Sequence, residues 1–302
     1  MPWSHGNARP PDTTDWVVPE YSALSLQPTQ SRYAVCLFVL DEGERFLRQL
    51  RRMQDFDHGL DVIVADGGST DGSMESNRLA ALGVTSLLVK HGPGKLSAQM
   101  RMGLSWCLQQ GYEGVVVMDG NDKDDPEALS RFAESLAAGY DHVQGSRYVR
   151  GGRAINTPLS RHLAVTLLHA PLISLAAGWR YTDTTNGFRG YSRDFLLDPK
   201  VAPFRAVFDK YELHYYLAIR GPRLGYRVCE IPVTRAYPAG GAVPTKIRGL
   251  RGNIVILGTL FRACLGFYSP PAAAAPSGNE RGASRGTPST NPHRRPAGRT
   301  TP

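Results

Sequence analysis

The chain is expected to fold as an α/β layer structure, a mostly parallel sheet flanked by helices, and three observations lead there. Four apolar runs of strand length recur in the first half, at residues 33–40, 61–65, 84–89 and 115–118. Segments with apolar residues at helical spacing separate them. Three acidic or glycine-rich stretches, 41–44, 66–72 and 119–127, each begin where an apolar run ends. In open sheets of parallel strands, ligands sit beyond the carboxyl ends of the strands, so the three stretches converge on one site.

The elements follow in order. Residues 33–40 form the first expected strand, and Phe46, Leu47, Leu50 and Met53 then fall on one face of a helix. Residues 61–65 are a second strand running into Asp66–Gly72, and 73–82 read as a helix. After a third strand at 84–89, a Gly-Pro-Gly turn at 92–94 precedes a helix over 96–110. The fourth strand, 115–118, runs straight into Asp119, and 141–144 read as a short strand of the second half. Residues 163–179 are the most apolar stretch, interrupted by Pro171 and containing His169. They read either as a helix lying on a membrane or as a kinked core helix, with His169 a core or surface histidine rather than a ligand. Residues 254–267 are apolar but broken by Arg262, and too short to span a bilayer. Any membrane contact there would be interfacial, with Lys246, Arg248 and Arg251 placed against anionic headgroups.

At 302 residues, 41% of them hydrophobic and 21% charged, the chain has the composition of a globular protein with a sizeable core. Residues 1–31 and 270–302 are poor in periodic apolar residues and are expected to be disordered, leaving a body over 32–269. Within it, the chain divides into two halves, 32–130 and 131–269, the first holding all three acidic or glycine-rich stretches. Of the net charge of +8, half lies beyond Ser269, where five arginines face one glutamate. The mildly basic body suits anionic substrates or a membrane surface, and no nucleic-acid motif accompanies it. Four scattered cysteines without a CxxC pattern argue against structural zinc and a disulfide framework. With no signal peptide visible, a cytoplasmic protein is expected, peripheral on the membrane face where its apolar stretches touch lipid.

The three strand ends carry the candidate chemistry. Asp119, directly after an apolar strand, is placed to bind a hard divalent cation through oxygen. Such a cation would bridge a diphosphate and stabilise its charge as it departs. Asp122, Asp124 and Asp125 read better as a solvated turn and a helix cap before Pro126. Asp66 could accept a hydrogen bond from a base or ribose, with Gly68 allowing close backbone approach; the same stretch also reads as an ordinary turn. Gly92-Pro-Gly-Lys95 lacks the spacing of a P-loop, although Lys95 could meet a phosphate or simply be solvated.

In this order, these stretches resemble the family 2 glycosyltransferases, in particular the branch of dolichyl-phosphate mannosyltransferases and bacterial polyprenyl-phosphate glycosyltransferases. Residues 40–44 look like the family's Asn-Glu turn, with Asp41 where Asn is usual and Glu42 beside it. Residues 64–73 look like its Asp-Asp-Gly-Ser segment, with Gly67 in place of the second Asp. Residues 118–127 match Met-Asp-Ala-Asp-Leu-Gln-His-Asp-Pro-Glu without gaps. Residues 145–152 and 183–192 look like the acceptor-side segments. The resemblance runs from about 33 to 266 and implies a GT-A, Rossmann-like fold, a nucleotide-diphosphate sugar donor, Mg²⁺ or Mn²⁺, and transfer with inversion.

That resemblance places metal ligation on Asp119 and Asn121, and donor binding on Asp41, Glu42, Asp66, Gly68, Lys95, Asp119 and Lys123. The departures fall on the metal. Asn121 replaces the second Asp and offers an uncharged carbonyl oxygen, while Lys123 replaces Gln and cannot ligate a cation when protonated. Its ammonium would instead face the diphosphate and supply part of the metal's charge. On the acceptor side, Arg147, Arg150 and Arg153 crowd a glycine-containing loop that reads equally as a phosphate grip or a solvated basic loop. Arg189 belongs with Arg147 and Arg150 to the acceptor set, and Asp183 is the candidate general base for a sugar hydroxyl, or orients neighbouring groups if the acceptor is already a phosphate. The expected reaction is sugar transfer to a polyprenyl phosphate. A saccharide or glycolipid hydroxyl is the alternative acceptor, and a non-catalytic nucleotide or polyanion binder the alternative class.

Overall fold

The computed structural model describes residues 10–238 and 249–271. Its first half alternates as expected: β1 (Tyr21–Ser25), β2 (Tyr33–Val39), α1 (Glu44–Gln54), β3 (Asp61–Asp66), α2 (Ser76–Ala81), β4 (Val84–Lys90), α3 (Leu96–Gln109), β5 (Gly114–Asp119) and α4 (Ala128–Ala137). The second half adds β6 (His142–Ser146), β7 (Arg153–Ile155), α5 (Leu159–Ala164), α6 (Ala170–Ala177), β8 (Arg189–Ser192), α7 (Arg193–Leu197), α8 (Glu212–Arg223), β9 (Val228–Pro232), β10 (Thr234–Ala236) and α9 (Gly249–Cys264). Eight strands form one sheet in the order β1-β4-β3-β2-β5-β8-β6-β9, and β7 with β10 form a parallel pair outside it. Strands β4, β3, β2 and β5 are mutually parallel, as are β6 and β9, while β1 and β8 run antiparallel to their neighbours.

The period of two along β2 divides the core into two layers. Ala34, Cys36 and Phe38 face one side, with Met100, Leu104 and Leu217; Val35, Leu37 and Val39 face the other, with Phe46, Leu50 and Phe132. Burying each large apolar side chain contributes roughly 1.5–3 kcal/mol relative to leaving it in water. Helix α1 covers the second layer with Phe46, Leu47, Leu50 and Met53, the face its spacing predicted. Glu44 in its first turn and Arg51 and Arg52 in its last complement the helix dipole.

Three expectations are corrected. Residues 10–31 are structured rather than disordered: β1 pairs with β4, Val17 N–H donates to the Phe204 carbonyl at 2.8 Å, and Trp16 stacks on Phe204 at 4.0 Å. Four of the five β1 residues are exposed, so this edge strand is held by its backbone ladder and leaves no apolar alternation in the sequence. The apolar stretch at 163–179 belongs to a longer helical run in which a π-turn (Val165–His169) joins α5 to α6. Pro171 lies in the first turn of α6, and the run ends at Gly178 in the left-handed region. Asp124 is neither solvated nor a cap, as described below. Residues 1–9, 239–248 and 272–302, including Lys246, Arg248 and most of the basic tail, lie outside the described residues.

Helix α3 lies so close to the sheet that a Cβ on Gly103 would stand 2.5 Å from Cys36 Sγ and 3.4 Å from the Phe38 ring. Gly103→Val is therefore expected to lower the unfolding free energy by about 1–3 kcal/mol through overpacking. Urea denaturation should show this as a lower midpoint with unchanged slope.

Candidate active site

Strands β2, β3 and β5 end level with one another, Val39 opposite Asp66 and Phe38 opposite Asp119. The loops leaving the first two are stitched together. Asp41, at φ 46°, accepts from Thr70 N–H at 2.8 Å, and its own N–H donates to Ser69 Oγ at 2.8 Å. Asp71 accepts from Gly43 N–H at 2.7 Å, and Glu42 pairs with Arg45 at 2.7 Å. Asp66 does not present its carboxylate to a base: it is buried and accepts from Gly68 N–H, Ser69 N–H and Ser69 Oγ. It shapes the loop, while Gly68, at φ 96°, is the exposed point of close approach. Lys95 stands apart at the start of α3, exposed, with its ammonium 5.8 Å from the Tyr211 ring centre.

Asp119, at the end of β5, has a side chain 26% exposed. Gln49 on α1 fixes the strand end, donating to the Asp119 carbonyl at 3.0 Å and accepting from Asp122 N–H at 2.7 Å. Asp122, at φ 55°, is itself paired with Arg48 and Arg52. Asp119 Oδ2 accepts from Arg235 Nη2 at 2.9 Å and faces Asn121 Nδ2 at 3.4 Å. The other guanidinium nitrogen of Arg235 bonds Asp124, whose side chain is fully buried. Burial pushes the Asp124 carboxyl up to about 6 against the pull of Arg235. Burial also opposes ionisation of Asp119, but the charge and hydrogen bond of Arg235, helped by Lys123, outweigh it and hold the carboxyl below its usual range.

Arg235 was not among the expected site residues. It sits on β10, more than a hundred residues from its partners, inside a Thr-Arg-Ala run with no motif of its own. Lys123 is 8% exposed, with its ammonium 5.5 Å from the Tyr237 ring centre. Burial, and then the nearby Arg235, lower its pKa. His214 on α8 is neutral, because burial and then the charge of Arg189 push its pKa down to about 3. The 183–189 loop comes directly alongside: a Cβ on Gly187 would stand 3.3 Å from Asp119 Oδ1.

The acceptor-side expectations are corrected in three places. Asp183 is fully buried and its oxygens are saturated, accepting from Arg147 Nε at 2.7 Å, Arg147 Nη2 at 3.0 Å and Thr185 N–H at 3.1 Å. It cannot serve as an exposed general base. Arg147 is committed to that bidentate pair and to Thr185 rather than to an acceptor. Arg189 is likewise buried, donating to the carbonyls of Asn186, Thr184 and His214 at 3.0, 2.7 and 2.6 Å. These residues build the loop beside Asp119. Glu230 on β9 completes it, accepting from Thr182 and Asp183 N–H. Arg150, in the preceding loop, and Arg153, at the start of β7, remain exposed.

Asp119 and Asn121 would offer two protein oxygens to Mg²⁺ or Mn²⁺, a carboxylate and the buried Asn121 Oδ1, which has no hydrogen-bond partner. Mg²⁺ is commonly held by one or two carboxylates, with substrate phosphates and water completing about six oxygens. Here Asp119 already accepts from the Arg235 guanidinium, which also bonds Asp124, so a cation would share the Asp119 carboxylate with that arginine. Among the described residues, no group of three or more His, Cys, Asp or Glu is placed to hold a metal ion.

Breaking the Arg147–Asp183 pair leaves a buried carboxylate without its cation, so Arg147→Ala is expected to cost about 3–5 kcal/mol of stability. Arg150→Ala, on the exposed part of the same loop, is expected to leave the thermal melt unchanged. Melting the two variants side by side checks the assignment.

Residues 41–198 match the description of glycosyl transferase family 2. The chain is 32% identical over 197 residues to an undecaprenyl-phosphate mannosyltransferase of Micrococcus luteus, covering 64% of this chain and 79% of that protein. It is 31% identical over 214 residues to a polyprenol monophosphomannose synthase of Mycolicibacterium smegmatis, covering 70% and 79%. Among solved structures, glucosyl-3-phosphoglycerate synthase of Mycobacterium tuberculosis with uridine diphosphate superposes with a TM-score of 0.54 at 19% identity, covering 80% of this chain and 81% of that one. The same enzyme with Mn²⁺, uridine diphosphate and phosphoglyceric acid gives 0.53, again at 19% identity and 80% of each chain. At that identity the likeness is one of fold, and it is the GT-A fold. With the family's description matching more than half of the chain, and strand-end loops placed as its chemistry requires, this protein belongs to glycosyl transferase family 2 and is a nucleotide-sugar-dependent glycosyltransferase.

Proposed function

We propose that the chain transfers a sugar, with inversion, from a nucleotide-diphosphate sugar to the phosphate of a polyprenyl phosphate. The observation that carries this reading is the placement of Gly187 against Asp119, which brings the 183–189 loop to the end of the donor strand. The bond from the anomeric carbon to the donor diphosphate breaks, and an acceptor oxygen forms its bond to that carbon from the opposite face. The loops at 41–44 and 66–72 form the nucleoside side, with Asp41, Glu42 and Gly68 at the strand ends.

A phosphate oxygen is already anionic and needs no base, whereas a sugar hydroxyl does. The saturated carboxylate of Asp183 therefore favours a phosphate acceptor over a saccharide. Exposed Arg150 and Arg153 suit that phosphate. The names of the two bacterial relatives, both polyprenyl-phosphate enzymes, support the same choice.

A lipid acceptor requires contact with its membrane. By length and composition, Leu159–Ala177 is long and apolar enough to cross one. It also packs through α6 on α8 and α9, and leaves Leu159, Leu167 and Leu175 70%, 72% and 84% exposed. Leu265 and Phe267, at the end of α9, are exposed as well. These residues form an apolar surface for peripheral contact, shallow insertion rather than a span being the role that the packing supports.

Asp119→Ala is expected to lower transfer from a labelled nucleotide-sugar at least about 100-fold, while Arg235 keeps Asp124 as its partner and the fold survives. Wild-type turnover in that variant would remove Asp119 from the donor site. Undecaprenyl phosphate, rather than a saccharide, is expected to accept the label in the same assay. Leu167→Glu with Leu175→Glu is expected to weaken cosedimentation with anionic vesicles at least about tenfold. Unchanged sedimentation would place the membrane contact elsewhere.

A further inference from the structure

We propose that two buried glutamines, Gln99 and Gln49, are positioning residues for sugar transfer. Gln99 holds the ends of β2 and β3 at a fixed spacing for the nucleoside, and Gln49 holds the end of β5 so that Asp119 keeps its pose. The inference rests on the nucleotide-sugar reading above, with the 41–44 and 66–72 loops on the nucleoside side.

Both side chains are buried amides. Gln49 is fully buried on α1, among Phe46, Leu47 and Leu50. Gln99 is 6% exposed on α3, where residues 97–108 are all buried. A buried amide costs free energy unless its hydrogen bonds are made, and an apolar side chain of similar size carries no such demand. The two reach the sheet from opposite layers. Phe46 and Leu50 of α1 pack with Val35, Leu37 and Val39, whereas Met100 and Leu104 of α3 pack with Ala34, Cys36 and Phe38. Both amides end on backbone atoms at the carboxyl edge of the strands.

Gln99 joins two strands. Its Nε2 donates to the Val39 carbonyl at 2.9 Å and to the Ala65 carbonyl at 2.5 Å. Val39 is the last residue of β2, and Ala65 stands one residue before the end of β3. The Val39 carbonyl also accepts from Gly67 N–H at 2.8 Å, so one oxygen ties β2, α3 and the start of the second loop. A nucleoside held between the two loops responds to any change in the spacing of these strand ends.

Gln49 joins one strand end to the turn after it. Its Nε2 donates to the Asp119 carbonyl at 3.0 Å, and its Oε1 accepts from Asp122 N–H at 2.7 Å. Asp122 has a φ of 55°, a left-handed conformation that a residue other than glycine keeps only when its surroundings hold it there. The clamp closes the turn that carries Asn121 and fixes the backbone beneath Asp119. Charge on the diphosphate develops as the donor bond breaks, so an error in the pose of Asp119 is felt in turnover more than in nucleotide affinity.

The test compares Gln99→Met and Gln49→Met with the wild type. Calorimetric titration with UDP, GDP and dTDP gives affinity and the number of sites, and turnover of the matching nucleotide-sugar is expressed per site. Unfolded protein then lowers the number of sites and leaves the constants alone. Gln99→Met is expected to raise the donor KM and the nucleotide Kd at least about fivefold, with kcat within about twofold. Gln49→Met is expected to lower kcat at least about tenfold, with the nucleotide Kd within about threefold. Gln49→Glu keeps an acceptor for Asp122 N–H and is expected to recover at least about threefold of that loss. Constants per site equal to wild type in both methionine variants, with only a lower melting temperature, would leave the glutamines as packing residues and overturn the inference. Where Gln99→Met folds poorly, Gln99→Glu has the same shape without the paired donors, and wild-type affinity in it would overturn the role of Gln99. Absence of binding of all three nucleotides to the wild type would overturn the donor reading along with the inference.

Discussion

The level ending of β2, β3 and β5 is the constraint on which the donor half of the site depends. Their register sets Val39 beside Asp66 and Phe38 beside Asp119, so three loops leave the sheet at one height. Parallel strands can be held in this way only if both faces are covered, and the two apolar layers provide that cover. A slip of one residue in β2 would turn Cys36 and Phe38 toward the wrong layer, so the packing that stabilises the domain also fixes the height of each loop. The loops then need little further help. Asp66 folds its own turn, and Asp41 and Asp71 tie the first loop to the second.

Much of this was legible in the sequence because it is local. Four apolar runs became β2, β3, β4 and β5 with small changes at their ends, and the helical spacing of Phe46, Leu47, Leu50 and Met53 became the buried face of α1. Placement of the three acidic stretches at one edge followed from strand polarity alone. The strand β1 was not legible, because an edge strand with solvated side chains is specified by backbone pairing that no side-chain pattern records. At the acceptor side the candidate residues are legible in the sequence, but their partners are not. Arg147, Asp183 and Arg189 looked like groups that touch substrate, and whether an arginine faces solvent or a carbonyl depends on contacts distant in the chain.

Arg235 shows the same limit more sharply. Nothing in its neighbours marks it, and its partners Asp119 and Asp124 lie on the far side of the acceptor half. Without it, Asp124 is naturally taken for a solvated residue before a helix, since Asp-Pro is a common way to begin one. With it, Asp124 becomes a buried anchor, and the acidic stretch after β5 forms one half of an ion-pair cluster. Lys123 and Asn121 had already departed from the family pattern at the two positions that a metal would feel most. The cation that accompanies those departures is contributed by a strand outside the main sheet.

The buried pair of Arg147 with Asp183 addresses a different demand. Replacing such a pair with apolar residues is often neutral or stabilising, so its presence needs a reason other than stability. The loop it holds must bring Gly187 within van der Waals reach of Asp119, and a glycine chain segment has no side chain with which to anchor itself. Directional bonds do the anchoring instead: Arg147 and Glu230 grip Asp183 from opposite sides, and Arg189 holds three carbonyls of the surrounding backbone. Each of these bonds specifies an angle as well as a distance, which apolar packing does not. An acceptor placed along this loop would therefore meet the anomeric carbon in a defined direction, as displacement from the face opposite the leaving diphosphate requires.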